Sequence, residues 1–362
     1  MSGGVDSSVA ARLLCDKHYD LSAVFMRNWD QRDETGTDEG CAWKQDWEDV
    51  QSVCKHLDIP CRMVDLSRQY WLRVFVPALK QWELGQTPNP DVWCNKEIKF
   101  GALLEHLSSD PLAGPSSYLA TGHYAMTARD AATDRPKLLR GVDPIKDQSY
   151  FLSAISEEGL SRTLFPIGHL TKPEVRQMAK DFDLPTADRP ESMGLCFIGK
   201  RGKFSKFIDQ YLPPKPGPIL DKRTSRRLGV HQGLWEYTIG QRVGIDGMRH
   251  AMYASEKDSD TNTIYVVPTS THESLYRHTV ISRDFNWLWT GSSPPGIDSE
   301  DGVAVTAKFR HRMDPAPGVA RIRMGKVEIT FDEPQQAIAA GQVLVLYQGD
   351  WCLGSGKITR AT

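Results

Sequence analysis

Through residue 204 the apolar positions switch repeatedly between helical and strand spacing, and this alternation restricts the fold more than any other feature. Val5, Val9 and Leu13, with Ala10 and Leu14, repeat at i, i+4 and predict an amphipathic helix over 6–17. A short apolar strand is expected over 21–26, a helix over 46–57 and an extended run over 59–66. Two helices follow: an aromatic-rich one over 70–82, and one over 96–107 with Ile98, Leu103 and Leu107 on its core face. Residues 118–121 read as a strand leading into Gly122, His123, Tyr124 and Ala125. Strands alternating with helices imply βαβ units, hence an α/β, doubly wound, mostly parallel sheet.

The pattern changes after Phe204. A short helix over 204–212 runs into Pro213-Pro214-Lys215-Pro216-Gly217-Pro218, a cluster that breaks regular structure and marks a boundary. Gly-rich turns and short strands over 233–241 and 263–267 follow, and from Thr279 onward only strand signals occur. Val319, Arg321 and Arg323 alternate with Ala320, Ile322 and Met324, the period of a strand with one buried face. The tail therefore reads as a small antiparallel β-barrel. The expected division is 1–204, 205–275 and 276–362, and 362 residues suffice for two or three domains at roughly 100–200 residues each. No internal repeat is evident.

With 40% hydrophobic and 25% charged residues, the chain is not a fibre, a disordered tail or a disulfide-stapled miniprotein. No apolar run approaches the ~18 residues of a membrane span, so no membrane association is expected. The net charge of −2 conceals strong local bias: residues 29–50 carry −6, 199–227 carry +7 and 305–326 carry +5. Two basic tracts in the second half suit a polyanionic partner, although each alone also fits a solvated face. Seven cysteines, an odd number with no CxxC pair, argue against a disulfide framework or a four-thiolate zinc site, and no metal site is expected. A reducing compartment fits better. The start shows neither a signal peptide nor an Arg/Ser-rich amphipathic presequence.

Ser2, Gly3, Gly4, Val5, Asp6, Ser7 and Ser8 stand directly before the first helix. Two glycines allow a tight turn that aims N–H groups at an anion; the helix N-terminus and two serine hydroxyls add to it. No lysine makes this a Walker A loop. A glycine turn with an Asp/Ser cap is the plain alternative. Two cysteines stand out from the remainder. Cys94 is expected at the start of the 96–107 helix, where the dipole, Lys96 and Lys99 favour thiolate and Asp91 is placed for acid/base work. Cys196 lies in an apolar turn between Gly194 and Gly199, followed by Lys200 and Arg201, a setting for a mobile sulfur carrier. Cys15, Cys54, Cys61 and Cys352 read as small buried hydrophobes; Cys41, in polar surroundings, has no assigned role.

The string SGGVDSS resembles the signature of the PP-loop ATP pyrophosphatases. TPNPD…CNKEIKFG, ATGHYA, KDQSYFL, SMGLCFIG and YTIGQR, in that order and ending in GDWCLGSGKI, resemble the tRNA-specific 2-thiouridylases over essentially the whole chain. The resemblance implies an adenine nucleotide α-hydrolase-like first domain, a small central domain that contacts tRNA, and the barrel. It implies ATP, with Mg²⁺ accompanying the nucleotide, bound by Ser2, Gly3, Gly4, Val5, Asp6 and Ser7, with Met26 near the adenine and Gly122 closing the site. Cys94 would be the nucleophile, Cys196 the persulfide carrier and Asp91 the acid/base. Asn89, Pro90 and Asp91 would touch the target base. His123, Lys146, Asp147, Gln148, Arg310, His311 and Gln342 would contact tRNA, although residues set like His123, Asp147 and Gln148 more often serve packing, and only the resemblance assigns them to RNA. The implied reaction is ATP-dependent 2-thiolation of the wobble uridine of the tRNAs for Lys, Glu and Gln. O2 is adenylated and sulfur arrives as a persulfide from a cysteine desulfurase or a sulfur-relay protein. A Cys94–Cys196 disulfide would result; release of hydrosulfide by Cys94 is the alternative order.

The family normally has a strand before the phosphate loop, and this sequence begins on the loop itself. A shortened chain or gene is expected from this, with two exposed strand edges and low stability. ESMG, LDIP and FMRNWD resemble eukaryotic mitochondrial members, which gives a mitochondrial matrix expectation, with a cytoplasmic one for a bacterial protein. The oligomeric state is open, a monomer included. Competing readings are another PP-loop adenylating or amidating synthetase, and an inactive RNA-binding relative.

Overall fold

The computed structural model describes residues 1–29, 42–109, 117–191 and 204–362. In the first unit, α1 (Val5–Cys15) starts after Gly4, with Asp6 in its first turn and Arg12 in its last, charges that suit the helix dipole. Its apolar face buries Val5, Val9 and Ala10 against Ile167 and against Val175 and Ala179 of the helix Lys172–Asp181. β1 (Ala23–Arg27) pairs in parallel with β2 (Cys61–Asp65). α2 (Ala42–Leu57) covers them, with Val50 and Cys54 packed on Ala23 and Phe25. β3 (Leu119–Ala120) pairs in parallel with β6 (Thr163–Leu164). The parallel pairing is what the alternation requires, but it is divided into two pairs, and among the described residues no ladder joins them. Instead the first residues run between them. The Met1 amine donates to the Val24 carbonyl, and Gly122, just after β3, packs on the backbone of Asp6 and Ser7.

The hairpin β4 (Ala125–Arg129) and β5 (Pro136–Arg140) leaves this unit and joins the C-terminal sheet. The central unit is a five-stranded sheet over Gly217–Val267 residues, with a core of Ile219, Leu234, Val243, Met252, Ala254, Ile264 and Val266. The third unit contains Tyr276–Trp287, Val303–Lys308, Ala316–Arg323, Lys326–Gln336, Val343–Gln348 and Trp351–Ala361. The first and last of these six also pair, closing the antiparallel barrel. Ala316, Gly318 and Ala320 face inward, as the alternation predicts. Met324 does not: it lies beyond the strand end at φ +47° and is 96% exposed, because the chain turns there. β5 adds to the last barrel strand, with Leu138 opposite Cys352.

All three units meet at the turn before Asn89. The Thr87 N–H donates to the Ala340 carbonyl at 2.8 Å, and the Thr87 and Thr238 hydroxyls are 3.4 Å apart. Gly341, at φ +91°, lies so close that a Cβ would sit 2.8 Å from the Thr87 nitrogen.

Candidate active site

Gly3 adopts φ +75°, and a Cβ there would fall 2.5 Å from the Asp46 carbonyl oxygen. Gly4 caps α1 in an extended conformation without a side-chain bond to the helix, so no capping side chain competes for its first N–H groups. Ser7 closes the turn: its hydroxyl donates to the Gly4 carbonyl at 3.0 Å and accepts the Ser2 N–H at 3.2 Å. Asp6 is engaged on one side by Lys172, at 2.6 Å, and by the Tyr124 hydroxyl, at 2.9 Å. Arg189 donates to the Gly3 carbonyl at 2.6 Å and pairs with Asp46 and Asp49. Burial nevertheless holds the Asp46 carboxyl above its ordinary range, against the pull of Arg189. A left-handed glycine, an open helix start and hydroxyl donors fit a phosphate chain. Met26 lies on β1, half-buried against the aromatic core.

The helix bearing Cys94 begins earlier than expected. Asn89 is its N-cap, accepting the Val92 N–H at 3.3 Å, and Pro90 opens the first turn. Cys94 therefore sits inside a continuous helical run, Pro90–Trp93 followed by Cys94–Ala102 and Leu103–Ser108, and not at its start. Asp91 occupies the first turn instead. The middle stretch is π-helical, with the Leu103 N–H bonded to the Ile98 carbonyl. Asp91 and Cys94 are three apart on the α-helical turn and share a face. The i→i+5 bonding then brings Lys99 to that face as well, whereas α-helical spacing would carry it aside. Asn28, at the end of β1, donates to the Cys94 sulfur at 3.9 Å. Burial pushes the Asp91 carboxyl up, opposed by Lys99.

His123 is buried beside Lys99, whose ammonium lies 3.4 Å from Nε2. An ammonium only donates, so Nε2 accepts and Nδ1 donates to the Thr121 hydroxyl at 2.8 Å. Burial first, then the Lys99 charge, holds the imidazole well below its ordinary pKa, hence neutral.

A cavity of about 510 Å³ opens next to this helix, lined by Asn89, Pro90 and Asp91 on one side and by Trp82, Phe204, Trp235 and Tyr237 around it. Its volume and aromatic lining suit an unstacked base. The Tyr237 segment, which carries the YTIGQR motif, thus joins the cavity wall.

The expected RNA contacts fare differently. Lys146 is accessible and pairs with Glu191 at 2.8 Å. Asp147 is 4% exposed, and its carboxylate is taken up by the Gly141 and Ser149 N–H groups and the Ser149 hydroxyl. These bonds give Asp147 the packing role that its sequence setting also allowed. Gln148 accepts the Tyr124 N–H at 3.0 Å, which fixes the strand behind His123. Arg310 donates to the Gln336 and Ala337 carbonyls and remains exposed. His311 lies 4.4 Å from the Phe151 ring centre, half-buried, its pKa lowered to about 4 by burial. Gln342 accepts the Ala339 N–H at 3.0 Å and so shapes the loop that Thr87 binds. Cys41 and Cys196 lie outside the described residues. Glu191, just before that second segment, is held by Lys146, Lys172 and Arg176. Cys54 and Cys352 are buried as expected, and burial pushes the Cys54 thiol up to about 12. Sequence reasoning missed Asn28, Lys172 and Arg189, each defined only by a distant partner. In sequence Lys99 stands out only as local positive charge near Cys94; its place beside His123 comes from the π-helical stretch. Among the described residues, no cluster of metal-ligating side chains occurs, and no helix is long and apolar enough to cross a membrane.

Residues 1–200 match the family model described as the tRNA methyl transferase HUP domain. Residues 205–268 match the tRNA methyl transferase PRC-barrel domain, and 277–358 the aminomethyltransferase beta-barrel domain. The chain is 43% identical to the tRNA-specific 2-thiouridylase MnmA of Alkaliphilus oremlandii, over 99% of its own length and 95% of that protein's. It is 43% identical to the protein of the same name from Staphylococcus carnosus and 44% to that from Geobacillus thermodenitrificans, each over 99% of this chain and 93% of the relative. These relatives are bacterial and lend no support to the mitochondrial expectation.

Proposed function

The chain belongs to the tRNA-specific 2-thiouridylase MnmA family, and on that premise we propose that it replaces O2 of the tRNA wobble uridine with sulfur at the expense of ATP. The observation that carries this reading is the union of a glycine phosphate cradle with a thiol-bearing helix. Gly122 touches the cradle backbone, and the next residue, His123, touches Lys99 on the helix of Asp91 and Cys94.

Ser2, Gly3, Gly4, Val5, Asp6 and Ser7 hold the nucleotide phosphates, with Met26 and Gly122 beside the nucleoside. ATP, when bound, supplies the adenylyl group that converts O2 into a leaving group; Mg²⁺ travels with its phosphates. Asn89, Pro90 and Asp91 receive the splayed base, and Asp91, its carboxyl raised by burial, manages the proton at the reacting edge. The terminal sulfur of a persulfide on Cys196 forms the bond to C2 as AMP departs with the C–O electron pair. Cys94 then attacks the Cys196 sulfur, the S–S electrons stay on the transferred sulfur, and a Cys94–Cys196 disulfide remains for an external thiol to reduce. Lys146, Arg310, His311 and Gln342 line the approach of the RNA backbone. The tRNAs for Lys, Glu and Gln are the substrates, and a cysteine desulfurase or relay protein is the donor. Bacterial relatives favour a cytoplasmic setting.

Incubating the chain with ATP, a persulfide donor and unmodified tRNA, followed by nucleoside mass spectrometry, tests this reading. Wild type yields 2-thiouridine and Cys94→Ser yields none; absence of product from wild type refutes it.

A further inference from the structure

Among the described residues, the lysine and arginine side chains that contact the phosphate cradle or its flanking acids are paired with carboxylates, and Lys99 beside them is not. Lys172 pairs with Asp6. Arg189 pairs with Asp46 and Asp49. Lys146 pairs with Glu191. Lys99 is half-buried, yet among the described residues it has no carboxylate within ion-pair distance. Its hydrogen-bond partner is the imidazole of His123, which is held neutral and so supplies an acceptor without a counter-charge. An ammonium withdrawn from water without an anion is costly unless a ligand supplies one.

Position indicates which anion. On one side Lys99 acts electrostatically on Asp91, at the base cavity; on the other it acts on the Met1 amine, at the start of the cradle. The α-phosphate lies between the pyrophosphate that the cradle would hold and the base that Asp91 would meet. We propose that Lys99, aimed by the Thr121–His123 hydrogen-bond pair, binds the α-phosphate of the nucleotide and neutralises the charge that gathers there when the adenylyl group is transferred. This rests on the functional reading above. The proton stays on Lys99 throughout, so the ammonium contributes charge only.

The test compares AMP with adenosine, which lacks the phosphate, by calorimetric titration of the full chain. Lys99→Met is expected to weaken AMP binding about tenfold or more, the range of a charge-assisted hydrogen bond, while adenosine binding changes less than twofold. Lys99→Arg keeps AMP binding within about threefold of wild type, since charge and donors persist. In a tRNA-dependent pyrophosphate-release assay, Lys99→Met lowers kcat about 100-fold, the scale of a lost transition-state donor, with KM for tRNA unchanged. Should Lys99→Met fail to fold, Lys99→Gln, which keeps a donor toward His123 but no charge, must show the same AMP defect. Equal weakening of AMP and adenosine, or no weakening of either, overturns the inference. No 2-thiouridine from wild type overturns instead the reading beneath it.

Discussion

At Gly122 a Cβ would stand 2.7 Å from both the Asp6 carbonyl carbon and the Ser7 nitrogen, so any side chain must displace the loop backbone itself. Backbone has little freedom to yield at the start of a packed helix, and overpacking of this kind costs about 1–3 kcal/mol. Gly122→Ala is therefore expected to weaken ATP binding about tenfold or more in calorimetric titrations, while tRNA affinity in filter binding stays within twofold. Unchanged ATP affinity would show that the loop shape is set elsewhere. Gly3 meets a comparable restriction from the opposite side, through the Asp46 carbonyl and its positive φ. The cradle is thus pinched between two glycine contacts contributed by distant parts of the chain, and the serines fill the hydrogen bonds that remain.

The helical run from Pro90 depends on its cap and on its change of pitch. Asn89→Ala removes the bond to the Val92 N–H, worth about 1 kcal/mol, and frees the first turn that carries Asp91. The expected result is a lower urea midpoint together with slower 2-thiouridine formation; a variant slowed without destabilisation would give Asn89 a role only at the base. Elements of this kind were partly legible. α1, β1, α2 and β2 follow from apolar spacing because each is fixed by its own local pattern. The early start of the Cys94 helix does not: TPNPD has turn character, and its prolines obscure the Asn cap and the Pro at N1. The β4–β5 hairpin was invisible for a different reason, since Leu138 finds its partner at Cys352. The site divides likewise. Cys94, Asp91 and the glycine loop announce themselves in sequence, whereas Lys99 emerges only through a π-helical pitch that apolar spacing does not encode.

Across the molecule, three histidines are held below their ordinary pKa by burial: His123, His231 and His311, the last to about 4. Each resists protonation when folded, whereas the unfolded chain takes up a proton below about pH 6.5. Their contribution is therefore complete above about pH 6.5 and declines as pH falls, for His311 down to about 4. Asp46 and Asp91, raised by burial, work in the opposite direction. The urea midpoint is expected to fall between pH 7.5 and 5, and His311→Gln to flatten that fall; an equal slope in both proteins would remove His311 from the account. One feature of the assembly reaches further than stability. The first unit lends β4 and β5 to the last barrel strand across more than two hundred residues of chain. Excising either partner would leave a raw, unsatisfied margin on the other. The first unit and the barrel are thus stitched together at this shared strand as well as at Thr87, so neither can be recast without keeping a matching edge for the other.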